Sequence, residues 1–384
     1  MKTVKIGDLG NIITGSTPSK KNPDNYGDYA LWIKPTDINP EEKYTRVVEE
    51  MFSEKAANDC RTRLIPANSI CVPCIGTVGT KLTMTPCDCF VNQSINAVIP
   101  NEDYDNDYVY YVLLNFLPNL KSINKGTASG REYIAKSAFE NIEIKVHSDI
   151  NVQRKIGKIL STYDDMIDNC KRQIALLEEA AQRLYREWFV DMRFPSHESD
   201  SIGENGLPQG WNSHPILSVY NIAYGKTLAT KHITKTGKYP VYGSSKCIGF
   251  YGKKTVDDYK VLITSRGNAG RVHRTYHKES FVTNNSFVVT PNADYNYIPF
   301  SYIYHSFIAL DLERIVNGSA QQQLTNAMLE NVSVVIPDEN TICKFGIICD
   351  RYTDKINVLH SIINNCIEAR SSLLPRLISG KIEI

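Results

Sequence analysis

Two short phrases in this chain set glycines and cations where chemistry with an anion or a base edge becomes possible. Gly76-Thr77-Val-Gly79-Thr-Lys81 and Arg266-Gly267-Asn268-Ala-Gly270-Arg271 each follow an apolar run. Glycine lets a backbone approach a ligand closely, and the adjacent Lys or Arg could meet a phosphate, or the O6 and N7 of guanine. A tight hairpin with incidental charge explains the same residues. Asn92-Gln93-Ser94 and Asn284-Asn285-Ser286 carry side chains that pair bidentately with adenine, or else the asparagines of two turns. Gln321-Gln322-Gln323 and Gly126-x-x-Ser129-Gly130-Arg131 are further candidates. Ser16-Thr17-Pro18-Ser19-Lys20-Lys21 and Lys226-Thr227 suit contacts to a sugar–phosphate backbone, which position a protein without specifying sequence.

Other chemistries fare worse. Cys71-x-x-Cys74 and Cys87-x-Cys89 could enclose a tetrahedral zinc. However, Cys71 and Cys74 lie in a strand-like run, and the matching Leu262 and Ser265 are not thiols. Buried cysteines acting as small apolar residues are the favoured reading, and no metal is expected. Glu143-x-Lys145 is half of a nuclease triplet that chance supplies often, and His147, His214, His232, His273 and His277 show no metal spacing. A phosphate-binding Gly-x-x-x-x-Gly-Lys-Ser/Thr loop, a Gly-x-Gly-x-x-Gly turn and the Asn/Asp-Pro-Pro-Tyr/Phe motif of amino-methyltransferases are all missing from the sequence. The expectation is a binding protein with no catalytic residues and no cofactor of its own.

Composition bounds the setting. At 384 residues the chain exceeds the size at which single cores stop growing, so more than one domain is expected. No signal-like or membrane-spanning stretch is seen, and ten cysteines then suggest a reduced, cytoplasmic protein. Net charge is only +1, but its distribution is uneven: residues 226–278 hold twelve Lys or Arg against two acids, Asp257 and Asp258. Residues 1–150 hold sixteen basic and nineteen acidic side chains. A basic stretch such as 226–278 suits a phosphate backbone, or is merely a solvated face.

The elements that must position these residues are written twice. The Gly-x-x-Gly turns correspond, as do Val91-Asn-Gln-Ser94 with Thr283-Asn-Asn-Ser286, and Phe139-Glu-Asn-Ile142 with Leu329-Glu-Asn-Val332, at offsets of 189 to 192. The starts match as well: Ile6-x-x-Leu9-x-x-Ile12-x-x-Gly15 and Ile216-x-x-Val219-x-x-Ile222-x-x-Gly225. Each copy opens with short apolar runs broken by Gly, Pro and Asn, read as strands at 69–73, 94–99, 259–264 and 286–290. Short helices are expected at 108–117 and 300–310.

Each copy closes on a long amphipathic helix. The first has its apolar seam at Ile156, Ile159, Tyr163, Met166, Cys170, Ile174, Leu177, Ala181, Leu184 and Trp188, with Asp164 among the polar residues outside it. The second runs from Phe345 to Leu377 and has Arg370 at one seam position. A lone stripe of this length would face water, so the two helices are expected to pair. Chain order makes the pair antiparallel, with a globular domain at either end and a pseudo-two-fold axis between them. The expected fold is therefore α+β: two recognition domains of mixed sheet and short helices, separated by an antiparallel coiled coil. The expected divisions are 1–150, a first helix at 151–190, a linker at 191–206, a second domain at 207–337 and a second helix with tail at 338–384. Related but non-identical domains of opposite orientation would read two different half-sites around an unread spacer.

This layout resembles the specificity subunits of type I restriction–modification enzymes along essentially the whole chain. Glu187-Trp188-Phe189-Val190-Asp191-x-Arg193-Phe194-Pro195 resembles that family's exit from the first long helix. Leu207-Pro208-x-Gly210-Trp211 resembles the entry to its second domain, and Ser372-Leu-Leu-Pro-Arg-Leu-Ile-Ser-Gly-Lys-Ile382 its C-terminus. The start at Val4-Lys5-Ile6 departs from the pattern, having no Leu-Pro-x-Gly-Trp phrase. The resemblance implies a non-catalytic subunit that reads double-stranded DNA for two modification subunits (S-adenosylmethionine-dependent adenine-N6 methyltransferases). Two restriction subunits, driven by ATP with magnesium, would join them. Trp188, Phe189 and Leu374 are then expected to be exposed and to contact the modification subunits, so that Trp188→Asp weakens assembly. A two-headed protein-binding adaptor is the rival reading.

Overall fold

The computed structural model describes residues 1–123, 132–195, 197, 201–316 and 323–384. The chain divides into two compact units, one formed by Met1–Asn169 with Ile362–Ile384 and the other by Cys170–Ser361. The division falls inside the long helices, so each unit takes a segment from both.

In unit 1 the strands are β1 (Lys2–Lys5), β2 (Gly10–Thr14), β3 (Tyr26–Gly27), β4 (Ala30–Ile33), β5 (Met51–Phe52), β6 (Ile70–Pro73), β7 (Thr83–Met84), β8 (Phe90–Val91), β9 (Ile95–Pro100) and β10 (Glu143–Val146). The helices are α1 (Glu54–Asp59), α2 (Asn106–Ile123), α3 (Lys136–Glu140) and the start of α4 (Ile150–Tyr185). An antiparallel sheet runs β2-β9-β6-β7. Beside it, β4 pairs parallel with β8, and β1 pairs antiparallel with β10. The apolar run at 70–73 is buried throughout, whereas β10 alternates exposed and buried residues, as a one-faced strand must.

Unit 2 repeats this plan. Its strands are β11 (Asn212–Pro215), β12 (Tyr220–Tyr224), β13 (Tyr239–Tyr242), β14 (Cys247–Tyr251), β15 (Val261–Thr264), β16 (Val272–Arg274), β17 (Phe281–Val282), β18 (Ser286–Pro291) and β19 (Ser333–Ile336). Its helices are α5 (Ile216–Val219), α6 (Phe300–Ala309), α7 (Asn326–Leu329) and most of α8 (Glu339–Ile378). The sheet β12-β18-β15-β16, the parallel pair β13–β17 and the ribbon β11–β19 answer one for one to those of unit 1.

Within unit 1 the long helices pair antiparallel. Ile156 and Leu160 of α4 share a core with Leu377 and Ile378 of α8, while Asp164, further along α4, pairs with Arg370, further back on α8. The buried line on α4 differs from the expected seam. It runs Ile156, Leu160, Asp164, Ile167 and Cys170, while Met166 is 44% exposed. Asp164, assigned from sequence to an outer face, is buried because Arg370 and Tyr111 both bind it. A charged residue at a core position hid the true stripe, and the oddly placed Arg370 is its partner.

Trp188 and Phe189, expected to be exposed, face inward. They are 6% and 9% exposed, in the core of unit 2. After Tyr185 the helix widens into a π-helical turn, Arg186–Val190. Phe189 thereby packs 4.9 Å from the ring of Tyr302, 5.1 Å from Phe345 and 5.7 Å from Trp211. Phe194 stacks 5.1 Å from Trp211, whose indole N–H donates to Asp338. The Trp-Phe and Gly-Trp phrases are thus two sides of one aromatic core, not an exposed docking face. Leu374 is half-buried against the core of unit 1.

Candidate nucleic-acid interface

In unit 1 three connections leave one end of one sheet, because β2 ends at Thr14, β6 ends at Pro73 and β9 begins at Ile95. Backbone hydrogen bonds tie them together. The Gly15 amide donates to Ile95 O (3.3 Å), Ser16 N to Val91 O (3.0 Å), Asn92 N to Ile33 O (3.1 Å), Cys74 N to Ser94 O (2.8 Å) and Ile134 N to Cys74 O (3.0 Å). Between Cys74 and the α2 helix runs the glycine turn, with φ of +78° at Gly76 and +66° at Gly79. A Cβ on Gly79 would lie 2.6 Å from Leu117 O and Lys121 N, so only glycine fits where the turn crosses α2.

Unit 2 builds the same scaffold. Gly225 N donates to Ser286 O (3.0 Å), Lys226 N to Val282 O (2.9 Å), Thr283 N to Tyr242 O (3.0 Å), Ser265 N to Asn285 O (2.8 Å) and Leu324 N to Ser265 O (2.9 Å). Gly267 and Gly270 also have positive φ, +83° and +90°. These bonds fix the correspondence between units. Asn92 answers to Thr283, Gln93 to Asn284 and Ser94 to Asn285. The match read from sequence for this turn was displaced by one residue, because both copies contain an Asn-x-Ser phrase in different registers.

The side chains fall into two groups. Gln93, Thr17, Lys20, Lys21, Lys226, Thr227, Arg266, Asn268, Arg271 and Asn285 are exposed. The Thr17 hydroxyl donates to Gln93 Oε1, joining two candidate loops. Asn268 and Arg271 close the second turn through an Arg271 N–H to Asn268 O bond of 3.3 Å. Other candidates are occupied within the fold. Asn92 Oδ1 accepts from Ser94 N (3.0 Å) in a local turn, Lys81 donates inward to Ile38 O (3.1 Å), and burial lowers the Lys81 pKa. Ser286 is buried. Its hydroxyl donates to Gly243 O (2.9 Å) and meets His273 Nε2 at 3.0 Å, so it shapes the turn rather than facing outward. Burial pushes His273 down to about 4, which keeps its ring neutral at that hydroxyl. Gln323 is held by a β-bridge to Arg266. Ser129, Arg131, Gln321 and Gln322 lie outside the described residues.

The structure adds residues that motif reading missed. The β13–β14 hairpin reaches the same sheet end, since Ser244 O accepts from Thr264 and Gly243 O from Ser286. It presents an exposed Lys246. In unit 1, Arg63 donates to Thr14 O and Gly15 O at 3.1 and 2.8 Å and so braces the loop start. Only long-range pairing brings these residues in; no local pattern marked them. The basic stretch 226–278 is not a uniform face either. Arg274 is buried against Glu178 (3.1 Å), and Lys254 binds Glu279 and Asp257.

The cysteines form no such site. Cys71 and Cys89 sit in one apolar core with Ile33, Ile65 and Val91, and burial raises the Cys71 thiol to about 12 and that of Cys74 to about 11. Cys87 is exposed. Among the described residues no three metal-ligating side chains converge, and no helix is long and apolar enough to cross a membrane.

Comparison with known proteins points one way. A family model described as the type I restriction modification DNA specificity domain matches residues 1–179 and again 208–369. The specificity subunit of the type I restriction enzyme MjaIX of Methanocaldococcus jannaschii is 25% identical over 419 residues, covering 99% of this chain and 93% of that protein. The HindI specificity subunit of Haemophilus influenzae is 34% identical over 167 residues, 43% of this chain and 36% of that one. In fold, the S subunit of the M. genitalium type I system aligns over 98% of this chain and 96% of its own, with a TM-score of 0.62 at 18% identity.

Proposed function

Because this chain belongs to the type I restriction–modification DNA specificity family, we propose that each unit reads one half of a bipartite, asymmetric double-stranded DNA site with its sheet end. The observation that carries this reading is the duplicated scaffold. The same hydrogen bonds hold the same three connections in both units, yet the side chains on them differ, as the exposed Gln93 and Thr80 differ from the half-buried Asn284 and the exposed Arg271. A fixed backbone with exchangeable side chains is what reading two unlike half-sites requires.

In this reading the chain supplies the address and partners supply the reactions, in the cytoplasm. Two modification subunits bring S-adenosylmethionine and methylate adenine N6. Two restriction subunits use ATP and magnesium to translocate and cut unmodified DNA. The chain itself contributes no catalytic group. The test is a map of N6-methyladenine across the host genome, with and without this gene. Loss of methylation at one bipartite, asymmetric motif on deletion supports the reading. No altered motif, together with no salt-dependent DNA binding by the chain purified with its modification subunits, replaces it with a protein-binding adaptor.

A further inference from the structure

The hydrogen-bond correspondence between the units allows their sheet ends to be compared position by position, and the comparison is lopsided in charge. Lys226 of unit 2 stands where unit 1 has Ser16, Arg266 where it has Ile75, and Arg271 where it has Thr80. Four residues beyond the paired carbonyls of Tyr242 and Ile33 come Lys246 and Asp37. The four unit 2 cations are exposed and have no ion-pair partner among the described residues. Among the described residues unit 1 offers no such set: its Lys34 is bound by Glu49 and Glu50 at 2.7 and 2.8 Å, Lys20 meets Glu50 at 3.8 Å, and Arg63 donates back to the carbonyls of Thr14 and Gly15. Asp37 spends its carboxylate on the amides of Lys34 and Glu49. In the described loop that follows Ser16 and Lys226 the two units are even, since Lys21 of unit 1 is answered by an equally exposed Lys231.

Resting on the reading above, we propose that the two half-sites are held by different physics. Lys226, Lys246, Arg266 and Arg271 of unit 2 supply the phosphate-directed, salt-dependent part of binding. Unit 1 reads its half-site with uncharged hydrogen-bonding side chains, chiefly the exposed and mutually bonded Thr17 and Gln93. Cations that neutralise phosphates release condensed counterions, whereas neutral donors and acceptors do not, so salt separates the two contributions.

The experiment uses the chain assembled with its modification subunits and a duplex carrying the motif found by methylation mapping, with a scrambled duplex beside it. Affinity is measured from 50 to 200 mM salt. A variant with all four unit 2 cations changed to Gln is compared with a variant carrying Thr17→Ala and Gln93→Ala. If each cation meets one phosphate, the slope of log affinity against log salt is about 3.6 shallower in the first variant, roughly a 100-fold difference in salt sensitivity across that range. The second variant keeps the wild-type slope but discriminates less between the duplexes. Adding Ser16→Lys and Thr80→Arg to wild-type unit 1 steepens the slope, which checks the idea in variants that lose nothing. An unchanged slope in the four-cation variant, with specific binding intact, overturns the proposal alone. Failure of the wild-type complex to prefer the motif overturns the DNA-reading function itself.

Discussion

Asp164 and Arg370 form a buried pair that is costly to disturb. Their side chains are 6% and 13% exposed, and Tyr111 also donates to the carboxylate. Burial raises the pKa of Asp164 against the downward pull of Arg370 and Tyr111. Removing one partner strands a buried charge, so Arg370→Ala should destabilise unit 1 by about 3–5 kcal/mol in urea denaturation. Asp164→Leu combined with Arg370→Leu should cost less than either single change, and a larger loss in the double variant would contradict that logic. The histidines of unit 2 make an opposite, pH-dependent case. Burial lowers His273, His305 and His360 to about 4 from 6.5. The folded state then binds fewer protons than the unfolded state between those values. Stability conferred by the neutral rings is full above pH 6.5 and lost as pH falls toward 4. Thermal melts across that window should show a fall that His305→Gln reduces.

At the scale of elements, two close approaches set how α4 and α8 enter their units. A Cβ on Gly157 would lie 2.6 Å from Asp105 Oδ1 and 3.0 Å from Asp107 Cβ, at the start of α2. One on Gly346 would lie 2.7 Å from Pro299, just before α6. The two glycines are 189 residues apart, the offset of the helix repeat. Gly157→Val should cost about 1–3 kcal/mol, since the neighbours are packed rather than mobile; a melt unchanged from wild type would show that the crossing can yield. The π-helical turn after Tyr185 is a second such device, because it rotates Trp188 and Phe189 into the aromatic core. Trp188→Ala should therefore cost about 3–5 kcal/mol and loosen unit 2. Hydrogen exchange in β11 and α6 would report it, and a defect confined to subunit assembly would instead restore the docking role expected from sequence.

For the whole molecule, the duplication means that function can be altered one half at a time. Substituting Gln93 and Thr17 should change one half of the methylated motif and leave the other, as read by methylation mapping of a strain carrying the variant. Changes in both halves would mean that the sheet ends do not read independently. The basic stretch 226–278 also takes its meaning at this scale. Arg274 within it supports packing, while Lys246, unremarkable in sequence, joins Lys226 at the sheet end.

The sequence by itself determined the repeat, the α+β pattern of each half, both long helices and the glycine turns. These are local facts: periodicity follows from helix and strand geometry, and a positive φ is written in glycine. It also carried the family resemblance, in phrases that prove to be core packing. Tertiary structure alone decided the register between copies at residues 92–94 and the place of Asp164 in the buried line. It alone turned Trp188 inward and brought Lys246 to the sheet end. Each of these depends on a partner distant in the chain, such as Arg370 for Asp164 and Trp211 for Phe189, and no local pattern encodes which partner will arrive. The same holds for the candidate site: its residue types were legible, but which were exposed and which, like Ser286 and Lys81, were already bonded inward depended on long-range contacts.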